Sequence, residues 1–168
     1  MYNEGIDYTA GGEKMTVSKV AIASDHGGIE LRKSIISYLE SVGISYEEFG
    51  PEAPESVDYP GLAITVSEKV VNQEVDRGIL VCGTGIGMSI AANKVKGIRC
   101  ALVGDTFSAH ATREHNDTNV LALGARVIGP GLAEDIVKIW LETAYEGGRH
   151  ANRVGQITAY EDSQDLKK

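Results

Sequence analysis

Gly78-Ile-Leu-Val-Cys82-Gly-Thr-Gly-Ile-Gly-Met-Ser89 joins a short apolar run to a glycine-rich loop and then to the start of a helix. The apolar run is typical of a buried strand, and helical spacing of apolar residues continues to Val95. A buried strand that passes through a tight loop into a helix is one repeating unit of an α/β fold. This stretch therefore predicts the fold class.

The same alternation of strand and helix extends in both directions from this stretch. Apolar runs predict strands at Lys19–Asp25, Ile44–Phe49, Gly78–Cys82, Ile98–Val103 and Val120–Leu123. Helical spacing predicts helices at Ile29–Val42, from Pro60 through Val71, and at Ser89–Val95, Phe107–Glu114 and Leu132–Tyr145. Apolar strands that alternate with helices form a parallel sheet covered on both faces. We expect a Rossmann-like three-layer α/β sandwich with a five-stranded parallel sheet, as a single domain over residues 18–168 after a flexible extension over residues 1–17.

Composition and charge narrow the function classes. The chain has 168 residues and a net charge of −8, which argues against a nucleic-acid partner and requires local positive charge for any anionic ligand. Its two cysteines imply no disulfide framework, so a reducing, cytoplasmic compartment is expected. No apolar stretch is long enough for a membrane span.

Chemistry-bearing side chains follow the predicted strands. Asp25 and His26 come directly after the first strand, and Cys82 ends the third. Ligands of such sheets bind at the carboxyl ends of the strands. Cys82 also precedes a helix N-terminus, which favours a thiolate, so catalysis and simple core packing stand as equal readings. Cys100, in mid-strand, is expected to be a core residue.

The glycine loop has a spacing of its own. Gly83, Gly85 and Gly87 alternate, which matches neither the dinucleotide fingerprint nor a P-loop, so a nucleotide site is disfavoured. Its backbone amides can approach a phosphate or a developing oxyanion closely. A tight strand-to-helix turn without a ligand explains the same glycines equally well.

Histidines and arginines supply the remaining candidates. His26 and His115 have polar neighbours in loops, which favours acid–base work over a plain surface role. Arg149 and Arg153 concentrate positive charge in an acidic chain, which favours phosphate binding over a solvated helix end. Neither an HExxH pattern nor a zinc-type spacing of cysteines and histidines is present, so no metal is expected.

Several ordered motifs resemble the ribose-5-phosphate isomerase B family, which includes galactose-6-phosphate isomerase subunits. The resemblance covers about Lys19 to Asp162, and its motifs are Ser24-Asp-His-Gly-Gly28, Asp58-Tyr-Pro60, Cys82-Gly-Thr-Gly-Ile-Gly-Met-Ser-Ile-Ala-Ala-Asn-Lys94, His115-Asn-Asp-Thr-Asn-Val120, and Tyr145-Glu-Gly-Gly-Arg-His150 followed by Arg153.

The resemblance implies a role for each matched residue. Cys82 would be the base that moves a proton between C1 and C2 of the sugar. Thr84 and His115, with Asp25 nearby, would open the furanose ring. The substrate would be held by His26, Tyr59, Gly83, Gly85, Gly87, Ser89, Asn116, Arg126, Arg149 and Arg153. One branch of the family uses a glutamate base where this chain has Met88, so the chain is similar to the cysteine branch.

The implied activity is the interconversion of ribose 5-phosphate and ribulose 5-phosphate in the pentose phosphate pathway, without a cofactor. The family is dimeric or tetrameric, and its sites combine residues of two subunits. Because Cys82, His115 and the arginines share one chain, a self-sufficient homo-oligomer is expected. Two alternatives stay open: an isomerase of a six-carbon sugar phosphate such as allose or galactose 6-phosphate, and a non-catalytic sugar-phosphate-binding protein.

Overall fold

The computed structural model describes residues 17–165. They contain a sheet of five parallel strands in the order β2-β1-β3-β5-β4. The strands are β1 (Lys19–Ser24), β2 (Ser45–Phe49), β3 (Arg77–Cys82), β4 (Cys100–Leu102) and β5 (Val120–Gly124). The predicted extension over residues 1–17 lies, except for Val17, outside the described residues.

Helices cover both faces of the sheet. Within residues 17–165 they are α1 (Ile29–Ser41), α2 (Tyr59–Val71), α3 (Ile86–Ala92), α4 (Thr106–Asn116), α5 (Pro130–Glu142) and α6 (Arg149–Asp165). Side chains of α1, α4 and α5 pack in one core, and those of α2 and α3 pack in the other. The predicted three-layer α/β sandwich with a five-stranded parallel sheet is confirmed.

The central strand β3 shows how the sequence builds the two cores. Successive side chains of a strand point to opposite faces. Ile79 and Val81 accordingly enter the α1–α4–α5 core, whereas Leu80 and Cys82 enter the α2–α3 core. Each fully buried aliphatic side chain stabilises the fold by about 1.5–3 kcal/mol. The continuous apolar run therefore reflects burial on both faces.

The edge strand β2 departs from the predicted apolar character. Its sequence is Ser-Tyr-Glu-Glu-Phe, and none of its residues is fully buried. As the outermost strand it has a neighbour on one side only. Glu47 forms an ion pair with Lys69 of α2 at 2.7 Å, so charged side chains cover this edge.

The opposite edge strand, β4, is shorter than predicted. It has three residues instead of the six expected from Ile98 to Val103. Cys100 therefore opens the strand and does not lie at its middle. The residue is half-buried, and burial of its thiol raises the pKa of Cys100 to about 12. A thiol that stays protonated suits the packing role predicted for it.

Helix α6 was not predicted. Its 17 residues include Gly155 and are mostly polar, so they lack the apolar period of a core-facing helix. Ile157 and Tyr160 are 59% and 69% exposed, whereas Glu161, near the end of α6, accepts a hydrogen bond from the Gly97 N–H at 3.0 Å. Among the helices of residues 17–165, none has the length and apolar character needed to cross a membrane.

Candidate active site

The order in which successive strands are added to the sheet reverses between β1 and β3. From β1 the chain runs outward to β2, then crosses back to β3 on the other side of β1. In an open parallel sheet, the crevice at such a switch point binds ligands at the carboxyl ends of the strands. Ser24 pairs with Val81 in register, and Cys82 pairs with Gly124. The loops that follow β1, β3 and β5 therefore meet at one place.

Ten of the fourteen residues expected at the site lie on this carboxyl edge or on the helix start facing it. We call them the carboxyl-edge group: Asp25, His26, Tyr59, Cys82, Gly83, Thr84, Gly85, Gly87, Ser89 and Arg126. They come from the ends of three strands and from the first turns of α2 and α3. Their side chains and amides are the ones that the sheet topology brings together.

Cys82 lies at the centre of this group. Its side chain is 5% exposed, and Sγ accepts a hydrogen bond from the Gly85 N–H at 3.1 Å. The thiol is thereby held in one orientation at the tip of the central strand. Its backbone carbonyl accepts from Ala125 N–H at 2.9 Å, which joins the glycine loop to the turn after β5. The sulfur therefore lies at the edge of the core, beside the loop amides.

The glycine loop requires glycine at Gly85. This residue precedes α3 in the left-handed conformation, with φ of 77°. A Cβ there would lie 2.9 Å from the backbone carbon of Leu123. The following residue of β5 is equally close, because a Cβ on Gly124 would lie 2.7 Å from the carbonyl oxygen of Thr84. The loop is thus packed backbone to backbone against β5, which fixes the position of its amides.

The loop after β1 is packed against the glycine loop. Asp25 is 8% exposed, and its Oδ1 accepts from the Gly27 N–H at 2.8 Å. A Cβ on Gly27 would lie 3.3 Å from the backbone nitrogen of Gly83. His26 Nδ1 accepts from the Val57 N–H at 3.3 Å, which leaves Nε2 as its second hydrogen-bonding atom.

Two larger side chains border the glycine loop. Tyr59, at the start of α2, packs on Gly87 so closely that a Cβ there would lie 2.6 Å from the tyrosine Cζ. Arg126 lies over Gly83, whose added Cβ would be 3.4 Å from the arginine Cδ. Both side chains retain solvent-exposed surface. A ring and a guanidinium therefore border the glycine loop at two of its residues.

A buried arginine of α1 supports this edge. Arg32 is fully buried, and its Nη1 donates to Ser24 Oγ at 2.8 Å, directly before Asp25. Its Nε donates to Glu48 at 2.7 Å and its Nη2 to the Pro51 carbonyl at 2.8 Å. The guanidinium thus bridges the end of β1 to the loop after β2. The sequence analysis did not single out Arg32, since an arginine on a helix is usually exposed.

A second group lies at the amino ends of the strands, opposite the carboxyl-edge group. It consists of His115, Asn116, Arg149 and Arg153, and we call it the amino-edge group. The Asn116 carbonyl accepts from Arg99 Nε at 3.2 Å, and Arg99 directly precedes β4. A five-residue strand separates the two edges by roughly 15 Å or more. Within one chain, the structure does not bring His115 and Asn116 to Cys82.

Among the described residues, the arginines of both groups have no acidic partner. Arg126, Arg149 and Arg153 are exposed, and within residues 17–165 none of their side chains forms an ion pair or hydrogen bond. Guanidinium groups with all donors available suit bidentate contact with phosphate.

His150 is a buried neighbour of the amino-edge group that the sequence analysis passed over. It is 4% exposed, and its ring stacks on His115 with a centroid distance of 4.3 Å. The sequence analysis considered the arginines on either side of it, Arg149 and Arg153, and assigned no role to His150 itself. The burial of His150 could have been expected only from its place in the first turn of α6, and that helix was not predicted.

A cleft of about 500 Å³ opens beside the carboxyl-edge group and shares His26 with it, and the neighbouring Gly27 also lines the cleft. Ala125 and Ile128 form part of its other wall. Cys82 does not line this cleft. The cleft therefore adjoins the candidate site without enclosing the thiol.

Comparison with known protein families bears on this arrangement. The model of the Ribose/Galactose Isomerase family matches residues 20–157, which include both groups. The chain belongs to the ribose/galactose isomerase family. The resemblance to ribose-5-phosphate isomerase B on which the sequence analysis relied is confirmed.

Individual members of the isomerase family match over nearly their full length. The YwlF protein of Bacillus subtilis is 64% identical over 145 residues, which are 86% of this chain and 97% of the relative. Ribose-5-phosphate isomerase B of Escherichia coli is 47% identical and is covered completely, across 89% of this chain. Both alignments are long enough to include the whole sheet.

A solved isomerase structure matches the fold as well. Ribose-5-phosphate isomerase B of Mycoplasma genitalium, solved with bound ribulose-5-phosphate, has a TM-score of 0.82 at 40% sequence identity. The match covers 86% of this chain and 96% of that one. The chain is thus an enzyme of the sugar-phosphate isomerase class.

Proposed function

We propose that this isomerase interconverts ribose 5-phosphate and ribulose 5-phosphate through an enediolate, with Cys82 as the base. The observation that carries the proposal is the place of Cys82 Sγ at the switch point of the sheet, oriented by the Gly85 N–H at 3.1 Å. The relative solved with ribulose-5-phosphate supports the choice of a five-carbon substrate.

Ring opening comes first, because an aldose phosphate exists mainly as a closed furanose. One group must take the proton of the hydroxyl on C1, and another must donate a proton to the ring oxygen. We assign these tasks to His115 and Thr84, with Asp25 nearby. The carboxylate of Asp25 is already held by Gly27, which favours an orienting role.

Proton transfer follows on the open chain. The Cys82 thiolate takes the proton from C2 of the aldose, and the electron pair forms the C1–C2 double bond of the enediolate. The same thiol then returns the proton to C1, and the proton of O2 passes to O1, which leaves a carbonyl at C2 and a hydroxyl at C1. Negative charge on the oxygens is stabilised by the amides of the glycine loop and by Asn116; one such donor is worth about 3 kcal/mol of barrier.

Phosphate binding orients the sugar away from the reacting carbons. The proposed ligands are His26, Arg126, Arg149 and Arg153, and Tyr59 lines the pocket beside them. The absence of acidic partners around the three arginines, within the described residues, supports this assignment. Replacing Arg149 or Arg153 by alanine is expected chiefly to raise KM.

We further propose that a complete site needs two copies of the chain. The carboxyl-edge and amino-edge groups lie at opposite ends of the strands, so one chain offers two incomplete halves. In a homodimer or homotetramer, His115 of one copy would face Cys82 of the other. We place this oligomer in the cytoplasm, in the non-oxidative branch of the pentose phosphate pathway.

The base is tested by a coupled assay of ribulose 5-phosphate formation, with Cys82→Ala and the matched control Cys100→Ser. Loss of a general base lowers kcat by about 10²–10⁴-fold. We expect that loss in the Cys82 variant with substrate binding largely kept, and near-parental kcat in the control, since Cys100 is a packing thiol. Near-normal kcat in Cys82→Ala would remove the assignment.

The two-chain site is tested by mixing. Cys82→Ala and His115→Ala are each expected to be inactive, and refolding them together gives mixed dimers with one intact site. Random pairing restores about a quarter of the parent activity. A mixture that stays inactive, although mixed dimers form, would contradict the shared site.

Substrate choice is tested in the same assay. Allose 6-phosphate and galactose 6-phosphate are expected to turn over more slowly than ribose 5-phosphate. A higher kcat/KM for a six-carbon sugar would favour the first alternative. Tight binding of ribose 5-phosphate without any turnover would favour a non-catalytic binding protein.

A further inference from the structure

Three of the chain's four histidines lie together where α4 ends and α6 begins. His115 and His150 stack, with ring planes 14° apart. His110 lies one turn before them, with Nδ1 at 3.5 Å from the carboxylate of Glu114. A second carboxylate, that of Glu146, lies 3.1 Å from His150 Nε2. Nitrogen and oxygen donors are thus concentrated at one spot.

Three of these residues have the spacing of a metal site. One ligand atom each from His115, Glu146 and His150 lie within 4.8 Å of one another. Two imidazoles and a carboxylate are a donor set that Zn²⁺ takes in proteins, with water or substrate as a fourth ligand. The two chain segments that carry the donors are fixed together by the Glu146 N–H, which donates to the Glu114 carbonyl at 3.0 Å.

A buried nitrogen points to a ligand at this spot. His150 is 4% exposed, yet its Nε2 makes no hydrogen bond, because the nearby Glu146 oxygen is outside hydrogen-bonding geometry. A buried polar atom without a partner costs about 1–3 kcal/mol. A cation bound between Nε2 and the carboxylate would satisfy it.

The stacked rings require one adjustment. Neighbouring ligand atoms in a tetrahedral zinc site lie about 3.3 Å apart, given zinc–nitrogen bonds near 2.0 Å. His115 and Glu146 must therefore move toward the fixed Nε2 of His150. Their side chains are 38% and 56% exposed, so both can turn without disturbing the core.

We propose that His115, Glu146 and His150 form a site for a borderline divalent cation such as Zn²⁺, and that its occupation inhibits the isomerase. The bound ion takes the lone pair of His115 and thereby removes that residue from ring opening. The inhibitory step rests on the proposed function. The binding step rests on the donor cluster alone.

The experiment titrates the EDTA-treated full chain with Zn²⁺ by calorimetry and with Co²⁺ by absorption spectroscopy. The parent is expected to bind one ion per chain. Glu146→Ala and His150→Ala should each weaken binding at least tenfold, as loss of a ligand does. His110→Ala is the matched control and should bind within twofold of the parent, because its nitrogen is outside the triad.

The outcomes separate the two claims. Failure of the parent to bind, or binding unchanged in Glu146→Ala, overturns the site; this variant alters an exposed side chain, so it remains informative where His150→Ala does not fold. A thiolate-to-cobalt charge-transfer band would place the ion on a cysteine sulfur, outside the three proposed ligands, and also overturn the site. If the protein binds Zn²⁺ but the metal-free protein does not turn over ribose 5-phosphate, the metal site stands and the proposed function is refuted. Full activity with the site saturated overturns the inhibitory step.

Discussion

Replacing Gly85 by alanine should cost more stability than the same change at Gly43, although the two backbones are nearly alike. Their φ angles are +77° and +75°. Left-handed backbone costs a non-glycine residue about 1–2 kcal/mol, and this penalty applies to both variants. At Gly43 an added Cβ meets nothing within 4 Å, whereas at Gly85 it would lie 2.5 Å from Leu102 Cδ1 and 2.9 Å from the Leu123 backbone carbon.

The difference between the variants comes from that contact. The backbone of β5 is buried in the sheet and cannot shift cheaply, and overpacking of this kind costs about 1–3 kcal/mol. We therefore expect a loss of about 1–2 kcal/mol for Gly43→Ala and about 2–5 kcal/mol for Gly85→Ala. Displacing the loop also moves the amide that Cys82 Sγ accepts from, so kcat should fall in the second variant only.

Urea unfolding measures these losses, followed by the fluorescence of Trp140, the one tryptophan of the chain, which is fully buried. Protomer concentration is held constant, because association shifts apparent stability. Equal losses of unfolding free energy in the two variants would refute the steric argument.

Two further predictions concern polar groups outside the reaction. Arg32→Met should lower the free energy of unfolding by about 3 kcal/mol, because it leaves its acceptors without a donor. These are Ser24 Oγ, the Glu48 carboxylate and the carbonyls of Phe49 and Pro51. Arg32→Lys should recover part of the loss, and a loss below about 1 kcal/mol would contradict this. Burial raises the pKa of Asp76, but hydrogen bonds from Ser18 and Lys19 outweigh it and lower the pKa overall. Because the folded pKa is depressed, the stabilisation from Asp76 is present above the unfolded pKa of about 3.9 and is lost as pH falls through the folded value. Urea unfolding of Asp76→Asn from pH 7 to pH 2 should show a flatter decline than the parent, and parallel curves would be inconsistent with that role.

The local pattern of apolar residues was enough to predict the buried strands of the fold. The apolar runs of β1 and β3 are buried on both faces, so their burial is visible in composition alone. The polar strand β2 and the short strand β4 lie at the edges, where pairing on one side is decided by neighbours distant in sequence. Helix α6 escaped prediction because its faces do not pack on the core, and core packing is what generates an apolar period.

The site residues likewise fall into two classes: those that local sequence predicts and those that depend on contacts between distant segments. Cys82 and Asp25 follow strands directly, so strand topology alone predicts that they approach one another. The packing of Arg126 on Gly83 and the stack of His150 on His115 depend on contacts between segments more than thirty residues apart. The sequence likewise predicted no metal ligands, because His115 lies far from Glu146 and His150 along the chain.

The two rims of the sheet constrain how copies of this protein can meet. An open rim with unpaired amides and carbonyls is a template for another strand. One rim here carries Glu47, which is paired with Lys19 and Lys69, and the other rim offers only three residues. Continuation of the sheet from molecule to molecule is therefore disfavoured at both rims, and we expect copies of the chain to associate through surfaces other than the strand edges.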